Sequence, residues 1–135
     1  MSPDQINRAE VVAEVRAAFE QYEAALKAHD LATLDAYFWD DPRVLRYGTA
    51  ELAQGAEAVR RSRRAMTPVH PQRKLQNTLI TTFGDDSASV CTEFAAPDSA
   101  QLGRQTQTWV RFAQGWKIVA AHVSLVDAQK LQRYC

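Results

Sequence analysis

The apolar residues of this chain change period once, and that change limits the fold more than any other feature. Val11/Val12, Val15, Phe19, Tyr22 and Leu26 recur every three to four residues, the spacing of one buried helix stripe. From Arg73 onward the apolar residues alternate instead, as they do in strands covered on one face. A helical half followed by a stranded half predicts an α+β domain.

The elements follow from local signals. Asn7 and Glu10 have the spacing of a capping box ahead of the first helix. His29-Asp30 ends that helix, and Asp30 is placed to cap a shorter second one carrying Leu31, Leu34 and Phe38. Trp39-Asp40-Asp41-Pro42 stops it, because proline disfavours helical geometry in the residue before it. Val44-Leu45-Arg46-Tyr47 reads as a short strand and Gly48-Thr49-Ala50-Glu51 as a turn. Gly55 opens a third helix through Ala65, and Pro68 and Pro71 bound a loop containing His70. Strands are expected at Leu75 to Phe83 and Ser87 to Ala96, then in a closing hairpin of Gln105–Phe112 and Trp116–Ser124.

At 135 residues and 46% apolar, the chain can bury a core as a single domain over 1–135 without disulfides or metal. Its formal net charge is zero, so no overall field draws it to nucleic acid or to an acidic membrane. The N-terminus lacks a signal-peptide pattern and no run is long enough to span a bilayer, which predicts a soluble, cytoplasmic protein with neither partner. Cys91 and Cys135 form no disulfide framework or paired-cysteine motif. His29, His70 and His122 are scattered without ligand spacing, so no metal is indicated. No glycine-rich phosphate loop is present, so no nucleotide cofactor is indicated either.

Four groups of residues could carry chemistry. Arg60, Arg63 and Arg64 lie near one another on the third helix, either as a solvated basic face or as donors to an anion. Tyr47 and Glu51 flank Gly48, whose freedom at a turn would let both border a pocket; an ordinary strand aromatic and a surface turn residue are the alternative. Gln105, Gln107, Trp109 and Arg111 share one strand face, which suits either a ureide or a protein interface. His122 and Ser124 share the other face, where the histidine is structural or shuttles a proton at neutral pH. Pleat parity does not decide which face lines a pocket, since Val110, Phe112, Trp116 and Ile118 make both apolar enough to be covered.

This order of elements resembles the NTF2-like (SnoaL-like) superfamily over nearly the whole chain. Phe38-Trp39-Asp40-Asp41-Pro42, the Gly55 helix, and Gly115-Trp116-Lys117-Ile118-Val119 followed by His122-Val123-Ser124 carry the resemblance. More narrowly, Arg46-Tyr47-Gly48-Thr49-Ala50-Glu51, Gly103–Phe112 and Val119–Leu125 resemble the AtzH-like/HpxZ-like family. The resemblance implies a cone-shaped fold in which three helices close over a strongly curved antiparallel sheet and leave a pocket between them. It also implies a homodimer through the outer sheet face, and a place in the breakdown of ureides such as oxalurate, or of s-triazines, beside amidase-type hydrolases.

On that basis Arg60 and Arg63 would hold a small anionic, amide-rich metabolite. Gln105, Gln107, Trp109, Arg111 and Ser124 would orient it, and Tyr47, Glu51 and His122 would be the proton-transfer groups. Two function classes remain open. One is a cofactor-free pocket protein that binds a carboxylated amide or urea, with acid/base decarboxylation, hydrolysis or tautomerisation as its chemistry. The other is a non-catalytic binding or assembly partner of an amidase. A SnoaL-like isomerase or cyclase acting on a hydrophobic substrate fits less well, because the candidate positions are polar.

Overall fold

The computed structural model describes all residues, 1–135. Three helices, α1 (Ala9–Lys27), α2 (Leu31–Tyr37) and α3 (Ala56–Arg64), pack on one face of a curved, unclosed six-stranded sheet. The strands are β1 (Leu45–Tyr47), β2 (Leu52–Gln54), β3 (Lys74–Phe83), β4 (Ser87–Ala95), β5 (Gln101–Phe112) and β6 (Gly115–Asp127). They lie in the order β2-β1-β6-β5-β4-β3, so the last four form the expected meander.

The amphipathic stripe of α1 is the apolar seam of the fold. Val11, Val15, Phe19, Tyr22 and Leu26 are all buried, and they join Leu34 and Phe38 of the second-helix region, Val59 of α3, and Ile80, Val90, Trp109 and Ile118 of the sheet in one core. The expected capping box does not form. Asn7 adopts a left-handed backbone (φ 56), Arg8 takes the N-cap position, and the Asn7 side chain accepts a hydrogen bond from the Thr82 backbone N–H at 2.8 Å. A tie to β3 has taken the amide that would have capped the helix. At the other end His29 is left-handed (φ 53), and Asp30 caps α2 by accepting from the Thr33 N–H, as its position suggested.

Two features of the sheet depart from the sequence reading. Leu52–Gln54 pairs antiparallel with β1, although three residues are too few to show alternation. The sheet is not wholly antiparallel, because β1 runs parallel to β6, with Leu45 opposite Ala120 and Tyr47 opposite His122.

Two irregularities shape the concave face. One interrupts β3 between Gln76 and Leu79, where Asn77 has φ 54. The other leaves Val119 of β6 without a partner, since Trp109 faces Ile118 while Thr108 faces Ala120. Such bulges bend and twist the bulged strand. The one at Val119 also shifts register, placing His122 opposite Thr106 instead of Gln105.

Candidate functional site

The inner face of the sheet carries a polar centre inside an apolar shell. Arg63, Arg73, Glu23, Gln105, Gln107 and Thr92 are all buried there, alongside Trp109 and Tyr22. They divide into two sets with different electrostatics.

The first set is closed. Arg73, immediately before β3, pairs with Glu23 of α1 at 3.1 Å, and both side chains are less than a tenth exposed. Gln105 completes the set, accepting from Arg73 at 3.3 Å and donating to Glu23 at 3.2 Å. The Arg73 guanidinium also stacks on Phe94 at 4.0 Å from the ring centroid. Phe94 can lie there because its neighbour on β5 is Gly103; a Cβ at that position would come within 2.1 Å of the ring. Every charge here has its counter-charge, so the set is a structural tie between α1 and the sheet.

The second set is open. Arg63 is only 2% exposed, yet no carboxylate pairs with it. Its Nη2 donates to the Tyr22 hydroxyl, its Nη1 approaches the Met66 sulfur at 3.4 Å, and its Nε is buried without a partner. The guanidinium carbon lies 5.3 Å from the Phe38 ring centroid and 5.6 Å from that of Tyr22. Aromatic faces and one hydroxyl are weak compensation for a desolvated cation. Nearby on β5, Gln107 accepts from Trp109 Nε1 at 3.0 Å, which fixes the orientation of its amide and leaves the amide N–H groups available as donors.

A cleft of about 470 Å³ meets this second set at Met66. It is lined by Arg46, Thr49, Glu51, Ser62, Ala65, Met66, Thr67 and Val123. Met66 thus faces the cleft while its sulfur touches the buried guanidinium. Arg46 of β1 lies on the inner side of the sheet beside Ala121 and pairs with Glu51 at 2.9 Å. Gly48 makes that pair possible through the absence of a side chain: a Cβ there would stand 1.9 Å from Glu51 Oε1. This is close approach, and no left-handed backbone is involved, contrary to the turn argument from sequence.

The expected residues are therefore separated. Arg63, Gln105, Gln107 and Trp109 come together on the inner face, with Gln105 already committed to the Glu23–Arg73 tie. Glu51 stands at the cleft, but Tyr47 does not share it. Tyr47 packs against His122, ring centroids 5.2 Å apart, on the outer face, because neighbouring strand residues point to opposite sides. Ser124 is on that face too, accepting from Arg104 at 3.2 Å. Arg60 turns away from Arg63 to Asp40 at 3.4 Å, and Arg111 lies at the hairpin end, paired with Asp86 at 2.9 Å.

Four participants were not singled out from the sequence: Arg46, Tyr22, Glu23 and Arg73. Glu23 had a legible signal, since it sits four residues after Phe19 within the apolar stripe of α1. Arg63 likewise follows Val59 by four on the buried side of α3, which separates it from Arg60. No group of three His, Cys, Asp or Glu side chains converges as a metal site. No helix is long and apolar enough to cross a membrane.

Comparison with solved structures places this architecture among known proteins. A protein of unknown function from Pectobacterium atrosepticum is 49% identical, with a TM-score of 0.90 and coverage of 93% of this chain and 98% of that one. A cystatin-like fold protein from Burkholderia xenovorans is 50% identical, with a TM-score of 0.88 and coverage of 90% and 95%. An NTF2-like protein of unknown function from Pseudomonas putida, 18% identical with a TM-score of 0.73 over 87% of each chain, shares the fold. No curated protein matches the chain. A comparison with protein families matches residues 4–129, a span that begins ahead of α1, runs through the end of β6 and holds both buried sets and the cleft. The chain belongs to the AtzH-like family, built on the NTF2-like fold.

Proposed function

We propose that the protein binds a small carboxylated amide or urea, of the oxalurate or s-triazine-derived class, in the cleft beside Arg63. The observation that carries this reading is a buried guanidinium with no carboxylate partner and an orphaned Nε. Burying an unpaired cation is costly, and a bound carboxylate would supply the missing charge through a planar two-point contact. Met66, an unbranched and adaptable side chain in the cleft wall, can move aside to admit such a ligand, and Gln107, which lies in one row of the inner face with Ala121 and Arg46, carries amide donors suited to its carbonyl end.

Binding is better supported than turnover. Glu23 and Glu51 are each paired with an arginine, and the histidine expected to move a proton lies on the outer face. The test is a thermal-shift titration with oxalurate, oxamate and the uncharged biuret. Stabilisation by the two carboxylates and not by biuret, lost in Arg63→Met, is the expected result; at a hundredfold saturation mass action contributes about 2.7 kcal/mol. A response to biuret as large as that to oxamate would remove the charge argument.

The outer face supports a second part of the proposal, that two copies pair through the sheet. Tyr47, Leu52, Leu79 and Phe83 are exposed there in the single chain. Light scattering on the purified protein tests it, with a monomer mass as the contrary result.

A further inference from the structure

We infer that the protein holds a second small-molecule site, a pocket beside the Glu23–Arg73 tie that takes a small uncharged carbonyl compound, independently of what the cleft binds. The pocket, of about 210 Å³, is bordered by Val69, His70, Arg73, Phe94, Ser99 and Leu125. Thr67 lines the cleft and Val69 this pocket, so the loop between α3 and β3 separates the two. Along the inner face Gly103 stands between Phe94 on β4 and Leu125 on β6. With no side chain at Gly103, the Phe94 ring leans into the gap, and the Arg73 guanidinium stacks on it at 4.0 Å. Two turns wall the pocket: the Arg73 N–H bonds back to the His70 carbonyl at 3.0 Å, and the Ser99 N–H to that of Ala96 at 3.3 Å. His70 spans them, because its Nδ1 accepts from the Gln72 N–H at 2.9 Å while its Nε2 faces Asp98 Oδ1 at 3.3 Å.

The ligand class follows from what Arg73 has left to give. Its charge is already matched, since Nε and Nη2 both donate to the buried Glu23 carboxylate, and Nη2 also donates to Gln105. Its Nη1 makes no bond within the protein and is not sealed from solvent. Arg73 therefore offers the pocket a hydrogen-bond donor without surplus charge. Ser99 supplies a second donor, because its Oγ accepts from the Gln101 N–H at 3.1 Å and its own hydroxyl proton is uncommitted. Val69, Phe94 and Leu125 present apolar surface to the rest of the space. A neutral carbonyl on a short branched apolar body matches both features. A carboxylate does not: it would give up its hydration for a guanidinium whose charge is spent, with Glu23 behind Arg73 and Asp98 at the rim. At about 30 Å³ per water the volume is that of roughly seven waters, which limits the ligand to a small fragment.

Three isosteric probes test this on the full chain by proton–nitrogen NMR titration: methyl isopropyl ketone and isobutyramide as neutral carbonyls, and isobutyrate as the anion. Both neutral probes should give saturable shifts of the Arg73 Nε–H signal and of the Phe94, Ser99 and Leu125 backbone signals. Isobutyrate should bind about tenfold more weakly or worse. Leu125→Trp fills the pocket from a position that is 41% exposed, so it spares the core, and it should abolish these shifts. Val69→Trp fills it from the loop, and serves if the first exchange disturbs the sheet. Isobutyrate binding as tight as that of the neutral probes overturns the inference, because Arg73 would then retain unmatched charge. Shifts that do not saturate, or that survive both variants, overturn it as well, and so does a failure of both neutral probes to bind. Signals of Arg46, Glu51 and Met66 report the cleft separately; shifts confined to them overturn the second site and leave the cleft standing.

Discussion

Replacing Arg63 by methionine should make the ligand-free protein more stable while abolishing carboxylate binding. The arginine is 2% exposed, so the exchange acts on a fully desolvated group. What is lost is the hydrogen bond to Tyr22, about 1.5 kcal/mol for a charged donor. The two cation–π contacts, with Phe38 and Tyr22, contribute about 1.5 kcal/mol together. What is relieved is the burial of a cation without a counter-ion, on the order of 4–5 kcal/mol. Methionine fills a similar volume among Tyr22, Phe38 and Met66, so packing changes little. The balance favours the variant by roughly 1–2 kcal/mol, or about 3–8 °C in Tm for a domain of this size. Urea denaturation of both proteins without ligand, followed by titration with oxamate, separates the two effects. A loss of about 2 kcal/mol or more in the variant would falsify the reasoning, because it would show that the fold already satisfies the Arg63 charge.

The closed set should behave in the opposite way. Arg73→Ala leaves Glu23 buried and unpaired, and should cost about 3–5 kcal/mol in the same denaturation assay; a change below about 1 kcal/mol would show that the pair is solvated. Two glycine substitutions should differ in cost. Gly103→Ala drives a Cβ into the Phe94 ring beneath Arg73 and should lose roughly 1–3 kcal/mol, whereas Gly48→Ala meets only the mobile end of Glu51 and should lose under about 1 kcal/mol. Finally, hydrogen bonds from Arg133, Gln76 and Asn77 hold the Glu93 carboxyl down at about 2 from 4.5. A carboxylate depressed in the folded state contributes stability above its unfolded pKa, and that contribution disappears as pH falls from about 4.5 toward 2. Arg133→Ala should raise the Glu93 pKa, as followed by carboxyl NMR titration; an unchanged value would show that Arg133 does not hold it.

Much of the fold was legible in local patterns. The stripe from Val11 to Leu26, the Asp30 cap and the meander from β3 to β6 appear where the residues indicated. Less of the site was legible. Arg60 and Arg63 belong to one run of arginines, and only the four-residue step from Val59 sets Arg63 apart; one reaches Asp40 and the other is enclosed by Tyr22 and Phe38. Tyr47 and Glu51 look like neighbours around a glycine, yet strand alternation sends Tyr47 to the outer face while Glu51 folds back over Gly48 to Arg46.

The sequence by itself determined the three helices, the stripe that α1 turns toward the core, and the four strands of the meander. Those properties depend on residues three or four positions apart on a helix, or two apart on a strand. Tertiary structure decided everything that depends on partners distant in the chain. The unpaired Val119 sets the register that carries His122 away from Gln105, and the parallel pairing of β1 with β6 brings Arg46 to the inner side. Glu23 finds Arg73 while Arg63 finds the Tyr22 hydroxyl and a sulfur and no carboxylate, so two arginines of the same chemistry become a structural tie and the proposed anion contact. A guanidinium's role follows from the charge placed against it, and that is a property of packing, not of spacing.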